Sequence, residues 1–470
     1  MSAFKKAMAE KTFFPSRIIH SFLAFWLLSL NTIAQSESAL ERYIAIGLKN
    51  NEALIREQLE SKIQSEVLRE AKGKYLPNVF IDASYIRADG GRTILFPAGD
   101  LVNPIYGGLN QVIGSDVYPT NIPNVEEQFL PDDFHETKVR LIQPILNTDI
   151  YFNKRIQESK LMAQEAKKRA YENQLIKEIK VAYYRHLSAR QQSSILEATR
   201  SILEELVRVS KSQVENEKAT REVIYGAQAE LNKLESQQAS AERQEHTSGI
   251  FFNYLIGREL TKTIEGEPVE LDVTGLTDDL ETLTTSALNE REELRQIEYG
   301  AEASRAATMM NRRYFVPKIN LVGDAGYQGF GYEFDDEQEF VFLRVGLTMP
   351  IFQGNQNRAK IQQASLREKV LESELKATND LIALEVAEAY YALEAARKNL
   401  IARKAARKNA QENFRIIQKQ YAQNQVIQVA FNDARNSFTT AQLLETIAHY
   451  NLKIRMAELE SAAAYQNPKI

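Results

Sequence analysis

Alternation of apolar and polar positions marks four short stretches of this chain, and between them the pattern changes to the three-and-four spacing of helices. Val341, Leu343, Val345, Leu347 and Met349 fall on one side of a predicted strand, with Phe342, Arg344, Gly346 and Thr348 on the other. Val79, Ile81, Ala83 and Tyr85 alternate with Asp82 and Ser84; Val139 and Leu141 alternate with Lys138 and Arg140. Ile319, Leu321, Ala325 and Tyr327 do the same against Asn320, Asp324 and Gln328. These stretches suit membrane strands of about 9 to 11 residues, apolar towards lipid and polar towards a lumen. A soluble sheet packed on one face would alternate equally well. In hydrocarbon, however, unpaired backbone groups force a sheet to close, and four strands are too few to close a barrel. Three copies would supply about twelve strands, within the range of known pores.

Long helices are predicted next to the strands. From Asn153 to Lys211 there is neither Pro nor Gly, and Ala, Glu, Lys, Gln and Leu dominate. Leu175, Ile179, Ala182, His186 and Ala189 step by four and three, as in a coiled coil, and Leu384, Ala387, Tyr391 and Ala395 form a similar stripe. The first long helix turns back between Val214 and Arg221, and the second between Tyr421 and Gln428. Each therefore reads as an antiparallel helical hairpin, with returns ending near Ile256-Gly257 and Ala463.

The order of elements occurs twice, and a long-period repeat constrains architecture more than any local motif. A helical stretch from Leu54 to Lys74 enters Tyr75-Leu76-Pro77-Asn78-Val79, and one from Glu293 to Arg313 enters Tyr314-Phe315-Val316-Pro317-Lys318. Leu141-Ile142-Gln143-Pro144 and Leu347-Thr348-Met349-Pro350 each precede a long helix, one carrying Tyr183-Tyr184 and the other Tyr390-Tyr391. Proline disfavours helix in the residue before it and cannot donate to a ladder, so each is expected at a helix–strand junction. The expected units are a first repeat over 35–257, a crossing segment over 258–279, a second repeat over 280–463 and a tail over 464–470. Residues 88–136, with Gly90-Gly91, Pro97, Pro104, Gly107-Gly108, Pro119, Pro123 and Pro131, are expected as a long irregular extracellular loop. A linker between domains is the alternative, although apolar residues such as Phe96, Ile105 and Val117 are frequent there.

Composition narrows the class. Among 470 residues, 58 basic and 63 acidic side chains give a net charge of −5, which argues against a nucleic-acid surface. Cysteine is absent, excluding disulfides, thiolate metal sites and a cysteine-linked lipid anchor. Lys5, Lys6, Lys11 and Arg17 precede an apolar stretch from Ile18 to Leu30 and then Thr32-Ile33-Ala34. Residues 1–34 are thus expected to be a cleaved secretory signal; the apolar core is shorter than the roughly 20 residues of a spanning helix.

With the leader, the duplicated order, the junction prolines and the paired hairpins together, residues Ser38 to Ala463 resemble the TolC-type outer-membrane efflux proteins. Tyr75-Leu76-Pro77, Pro144-Ile145-Leu146, Pro350-Ile351-Phe352 and Tyr254-Leu255-Ile256-Gly257 are the closest local matches. The resemblance implies an α+β membrane protein built from a duplicated helix-strand-strand-long helical hairpin unit. It implies a homotrimer sharing a 12-stranded β-barrel in outer-membrane lipid, above an α-helical periplasmic tunnel. The implied partners are a periplasmic adaptor and an inner-membrane pump or ABC transporter, with no cofactor, metal or catalysis. Glu217, Thr220, Asn424 and Ile427 map to the adaptor-docking tip, and Asp433, with Glu222 as the weaker candidate, to the tunnel constriction. Family members commonly carry Gly in these turns; Asn tolerates left-handed geometry and Glu does so poorly, so the first turn is expected to differ in shape from the second.

Two other classes are in view. Histidines 20, 135, 186, 246 and 449 lack metal-ligand spacing, and neither a P-loop nor a serine nucleophile elbow is present, which disfavours an enzyme. His186 and the tyrosine pairs are expected in interhelical packing. A periplasmic adaptor also combines hairpin and strands, but one hairpin flanked by Gly-rich β-domains is its normal form.

Overall fold

The computed structural model describes residues 38–266 and 279–464. The expected signal segment, residues 267–278 of the crossing segment and residues 465–470 of the tail lie outside the described residues. In chain order the elements are α1 (Ala39–Asn50), α2 (Glu52–Gly73), β1 (Asn78–Ile86), β2 (Thr93–Phe96), α3 (Ala98–Ile113), β3 (Val125–Gln128) and β4 (Phe134–Leu146). There follow α4 (Thr148–Glu215), α5 (Glu222–Leu255), α6 (Leu280–Glu290), α7 (Glu292–Arg312), β5 (Lys318–Phe330), β6 (Glu339–Thr348), α8 (Gln356–Ala422) and α9 (Gln428–Ala462). By contacts the chain splits into one unit of Met1–Ile55, Tyr171–Ala287 and Glu385–Ile470 and a second of Arg56–Ala170 and Leu288–Leu384.

The first unit is helical. Ser38 and Glu41 close a capping box at the start of α1, each side chain bonded to the other's backbone N–H. Its core joins Tyr43, Leu54, Leu175, Ile179, Tyr183, Phe252 and Ile256. Close packing needs glycine at position 47, where a Cβ would meet Ile179 Cδ1 at 2.4 Å. The stripe expected on the first long helix is buried throughout, from Leu175 to Ala189. That expected on the second is not: Leu384, Tyr391 and Ala395 are exposed. Along this stretch of α8 the buried positions are instead Ile382, Val386, Leu393, Ala396 and Leu400. Both stripes have helical spacing, and in an alanine-rich helix two apolar faces satisfy the pattern equally. The tyrosine pairs part company for the same reason, since Tyr183 and Tyr184 are buried whereas Tyr391 is exposed.

The second unit is built on a four-stranded antiparallel sheet in the order β1-β4-β5-β6. Ile81 lies opposite Val139, Val139 opposite Ala325, and Ala325 opposite Val341. Strand β4 runs through Pro144 to Leu146 with a bulge there, so this proline lies inside the strand's end and not at its border. The helices of this unit are joined by side-chain contacts: Arg169 pairs with Glu292 at 2.9 Å, and Ser304 Oγ donates to Ala364 O at 3.0 Å. Glu57, buried, accepts from Gln164 and Lys167 at 3.0 and 3.2 Å.

Residues 88–136 are not the irregular loop that their Gly and Pro content predicts. They hold a two-stranded sheet of β2 and β3 and the 16-residue α3, with Pro104 inside it. Asparagine side chains supply the order that propensity does not. Asn103 and Asn110 each bond both ways with the returning chain, at Ile122 and Tyr118, at 2.8 to 2.9 Å.

Candidate functional site

Two surfaces carry the functional signal, and the first is the sheet. Neighbours directly opposite share a face, so the register sorts the side chains. On one face lie Val79, Ile81, Val139, Val341, Leu343, Val345 and Leu347, all exposed, with Val341 at 80% and Leu343 at 71%. On the other, Arg140 forks both carboxylate oxygens of Asp324 at 2.8 Å and lies 3.6 Å from Asp82, while Lys138 reaches Glu136. An apolar face open to the surroundings backed by an ion-paired face is the reverse of a soluble sheet, where the apolar side is the covered one. Aromatic rings gather at the end of the sheet far from the long helices. Tyr85 meets Tyr332 at 5.7 Å, Tyr327 meets Phe334 at 5.5 Å, and Phe134 meets Phe330 at 5.5 Å. Aromatic girdles of this kind border the apolar band of membrane barrels.

The second surface is formed by the ends of the two hairpins. Helix α4 stops with Glu217 at φ 60°, and α8 stops with Asn424 at φ 58°. Lys218 N–H donates to Gln213 O and Gln425 N–H to Gln420 O, both at 2.8 Å; Glu217 N–H donates to Val214 O and Asn424 N–H to Tyr421 O, both at 3.0 Å. These are two copies of one left-handed helix cap. The expected difference in shape is therefore wrong: the hydrogen bonds of the cap outweigh the steric penalty on Glu217, about 1–2 kcal/mol for a residue with a Cβ.

The structure ties the turns to each other. Gln213 Nε2 donates to Asn424 Oδ1 at 3.1 Å, and Gln428 Nε2 donates to Val223 O at 2.9 Å. Behind them Phe414, Tyr421, Phe431 and Leu203 pack in one cluster, with Phe414 and Phe431 rings 5.6 Å apart. Glu217, Thr220, Asn424 and Ile427 are all exposed at this end. So are Asp433 and Glu222, and neither carboxylate is joined to the other among the described residues. Phe431, Ala434 and Arg435 take the buried side of α9, leaving Asp433 on its outer side.

Sequence reasoning missed Arg435. At 3% exposure it bonds Glu230 at 2.7 Å across α5 and α9. Burial pushes its guanidinium pKa down, and the Glu230 carboxylate opposes that shift. Only tertiary placement reveals the pair, since the two residues are 205 positions apart.

Among the described residues no helix is long and apolar enough to cross a membrane, and no metal-binding cluster of His, Cys, Asp or Glu is present. The sheet is thus the part with a lipid-compatible surface. A model of the outer membrane efflux protein family matches residues 283–464.

That match covers less than half of the chain and marks residues 283–464 as similar to outer membrane efflux proteins. The alkaline protease secretion protein AprF of Pseudomonas aeruginosa is 23% identical over 266 residues, covering 54% of this chain and 53% of AprF. The aligned part is thus about half of that relative's length. Solved outer-membrane channels share the fold along most of the chain. CmeC of Campylobacter jejuni has a TM-score of 0.73 at 15% identity, covering 91% of this chain and 85% of its own. The open state of MtrE of Neisseria gonorrhoeae has a TM-score of 0.71 at 18% identity, covering 90% and 88%. The chain accordingly has the fold of the TolC-like outer-membrane channels.

Proposed function

We propose that the protein is the exit duct of a tripartite efflux or type I secretion system, passing cargo from an inner-membrane pump through a periplasmic adaptor to the exterior. The exposed apolar face of the sheet supports this reading, because its seven apolar side chains are left uncovered among the described residues. Three protomers, each one helix-strand-strand-hairpin unit written twice (35–257 and 280–463, joined by 258–279), complete a 12-stranded barrel over a helical periplasmic tunnel. Type I secretion is favoured within this class by the likeness to a protease secretion protein.

The tied hairpin ends form the tunnel's inner tip. Glu217, Thr220, Asn424 and Ile427 meet the adaptor, and Asp433 lines the constriction. Three Asp433 carboxylates in a narrow ring attract cations and disfavour anions. Glu222 opens helix α5, where a carboxylate is favoured by the helix dipole, and its part in the ring is the smaller.

Native mass of the protein extracted in detergent tests the reading. A trimer that precipitates when detergent is withdrawn is expected; a monomer that stays folded and soluble without detergent would contradict it and favour a periplasmic adaptor.

A further inference from the structure

Among the described residues the outer strands β1 and β6 each have one partner, so each offers an edge for pairing. We infer that β6 of one protomer pairs with β1 of the next in a register displaced by four residues, setting Arg344 opposite Asp82 and Gly346 opposite Phe80. This rests on the trimeric barrel proposed above and fixes how its protomers meet.

Three constraints select the displacement. Following the register straight across the sheet leads from Phe80 through Arg140 and Asp324 to Phe342. A closed barrel needs tilted strands, so the rung that leaves Phe342 cannot arrive at Phe80 of the next protomer. The displacement must also be even, because an odd one would set lipid-facing side chains against lumen-facing ones. Strand spacings of about 3.3 Å along and 4.8 Å across give a tilt of about 35° for a displacement of four per protomer and about 46° for six. The common range is about 35–45°.

Strand ends give the direction and favour four. From the Phe80–Phe342 rung, β1 reaches outward to Ile86 whereas β6 begins already at Glu339. Towards the helices β6 continues to Thr348 while β1 begins at Asn78. Within one chain the sheet therefore already slides inward from β1 to β6. Moved by four in that sense, all of β1 from Asn78 to Ile86 lies opposite β6 from Thr348 to Phe340. The opposite sense leaves the strands almost without overlap, and a displacement of six brings Arg344 opposite Ser84 and leaves the outer end of β6 unpaired.

Side-chain chemistry agrees with the same choice. Arg344 is exposed on the ion-paired face, and Asp82 is nearly half exposed beside Arg140. Opposite charges facing each other across strands stabilise pairing, and an aromatic ring over a strand glycine shields its backbone. On the lipid face, Ala83 meets Leu343, Ile81 meets Val345 and Val79 meets Leu347. Every seam pair is then apolar on one side, and on the other the charged positions Asp82 and Arg344 answer each other.

The absence of native cysteine allows a direct test by disulfide trapping in outer membranes. Within one chain Ala83 and Leu343 lie on opposite edges of the sheet, so a bond between them joins protomers. Ala83→Cys would be combined in turn with Glu339→Cys, Leu343→Cys and Val345→Cys, matching displacements of zero, four and six. Covalent trimers, removed by reductant, are expected for the Leu343→Cys combination alone. Trapping at Glu339→Cys or Val345→Cys instead, in a protein of trimeric native mass, would overturn the register and keep the trimer; a monomeric mass would overturn both. As a second measurement, Arg344→Asp should lower the temperature at which the trimer dissociates in detergent, and Asp82→Arg added to it should restore part of the loss. No recovery in the double variant would contradict the pairing.

Discussion

Single residues at the hairpin ends and junctions carry the local strain and charge. Glu217 holds a left-handed conformation that glycine adopts without steric cost, so Glu217→Gly should raise stability by up to about 1 kcal/mol. Asn424→Gly should change it little, since Asn already tolerates the region; denaturant midpoints of the two variants check the contrast. The sequence placed both residues in the turns but suggested that Glu would reshape the first, because a residue-by-residue propensity does not count the two local backbone hydrogen bonds that close each cap. Glu57 gives a pH dependence. Burial pushes its carboxyl pKa up, yet Lys167 and Gln164 bonded to it outweigh that and hold it below the usual glutamate value. A carboxylate with a lowered folded pKa adds stability above its unfolded pKa, near 4.3, and loses it as pH falls through the folded value. Glu57→Gln should therefore flatten the acid limb of the stability curve below pH 4.5, with little change in slope above pH 6; thermal unfolding across this range measures it.

At the scale of elements, strands and long helices were legible because each has a period that solvent and packing enforce. The direction in which a face points was less so. Val341 to Met349 reads as a one-sided strand from its sequence, yet only the structure shows the apolar side to be the open one. On α8 the sequence singled out the face of Leu384 and Tyr391, while the chain buries the face of Ile382 and Val386. An exposed apolar face on a long helix fits contact with a neighbouring protomer. Ile382→Ala should thus lower unfolding stability by about 2–5 kcal/mol through a core cavity. Leu384→Ala should leave the secondary structure of the dissociated chain unchanged and lower the trimer's dissociation temperature, as read by circular dichroism and by gel mobility. Residues 88–136 were misread for a related reason, since Gly and Pro counts carry no information about side-chain bonds such as those of Asn103 and Asn110.

For the whole molecule, the open apolar face, the two free sheet edges and the tied hairpin ends make a single chain an incomplete object. In the proposed trimer, closure by three copies would turn exposed hydrocarbon-facing strands into a barrel and one Asp433 into a ring. The proposed ring, adaptor-facing tip and duplicated unit rest on spacing and resemblance, whereas the Arg435–Glu230 pair linking the hairpins needed the folded chain. Charge reversal or removal at the constriction should show in ion selectivity before it shows in stability, because Asp433 is exposed and holds no packing contact in the buried cluster. The central claim is that this protein conducts across a bilayer, and conductance of the detergent-purified trimer in planar lipid measures it. Discrete ion-conducting steps preferring cations, with the preference reduced in Asp433→Ala, are the expected result; a folded trimer that inserts and yet passes no current in any variant would contradict the account.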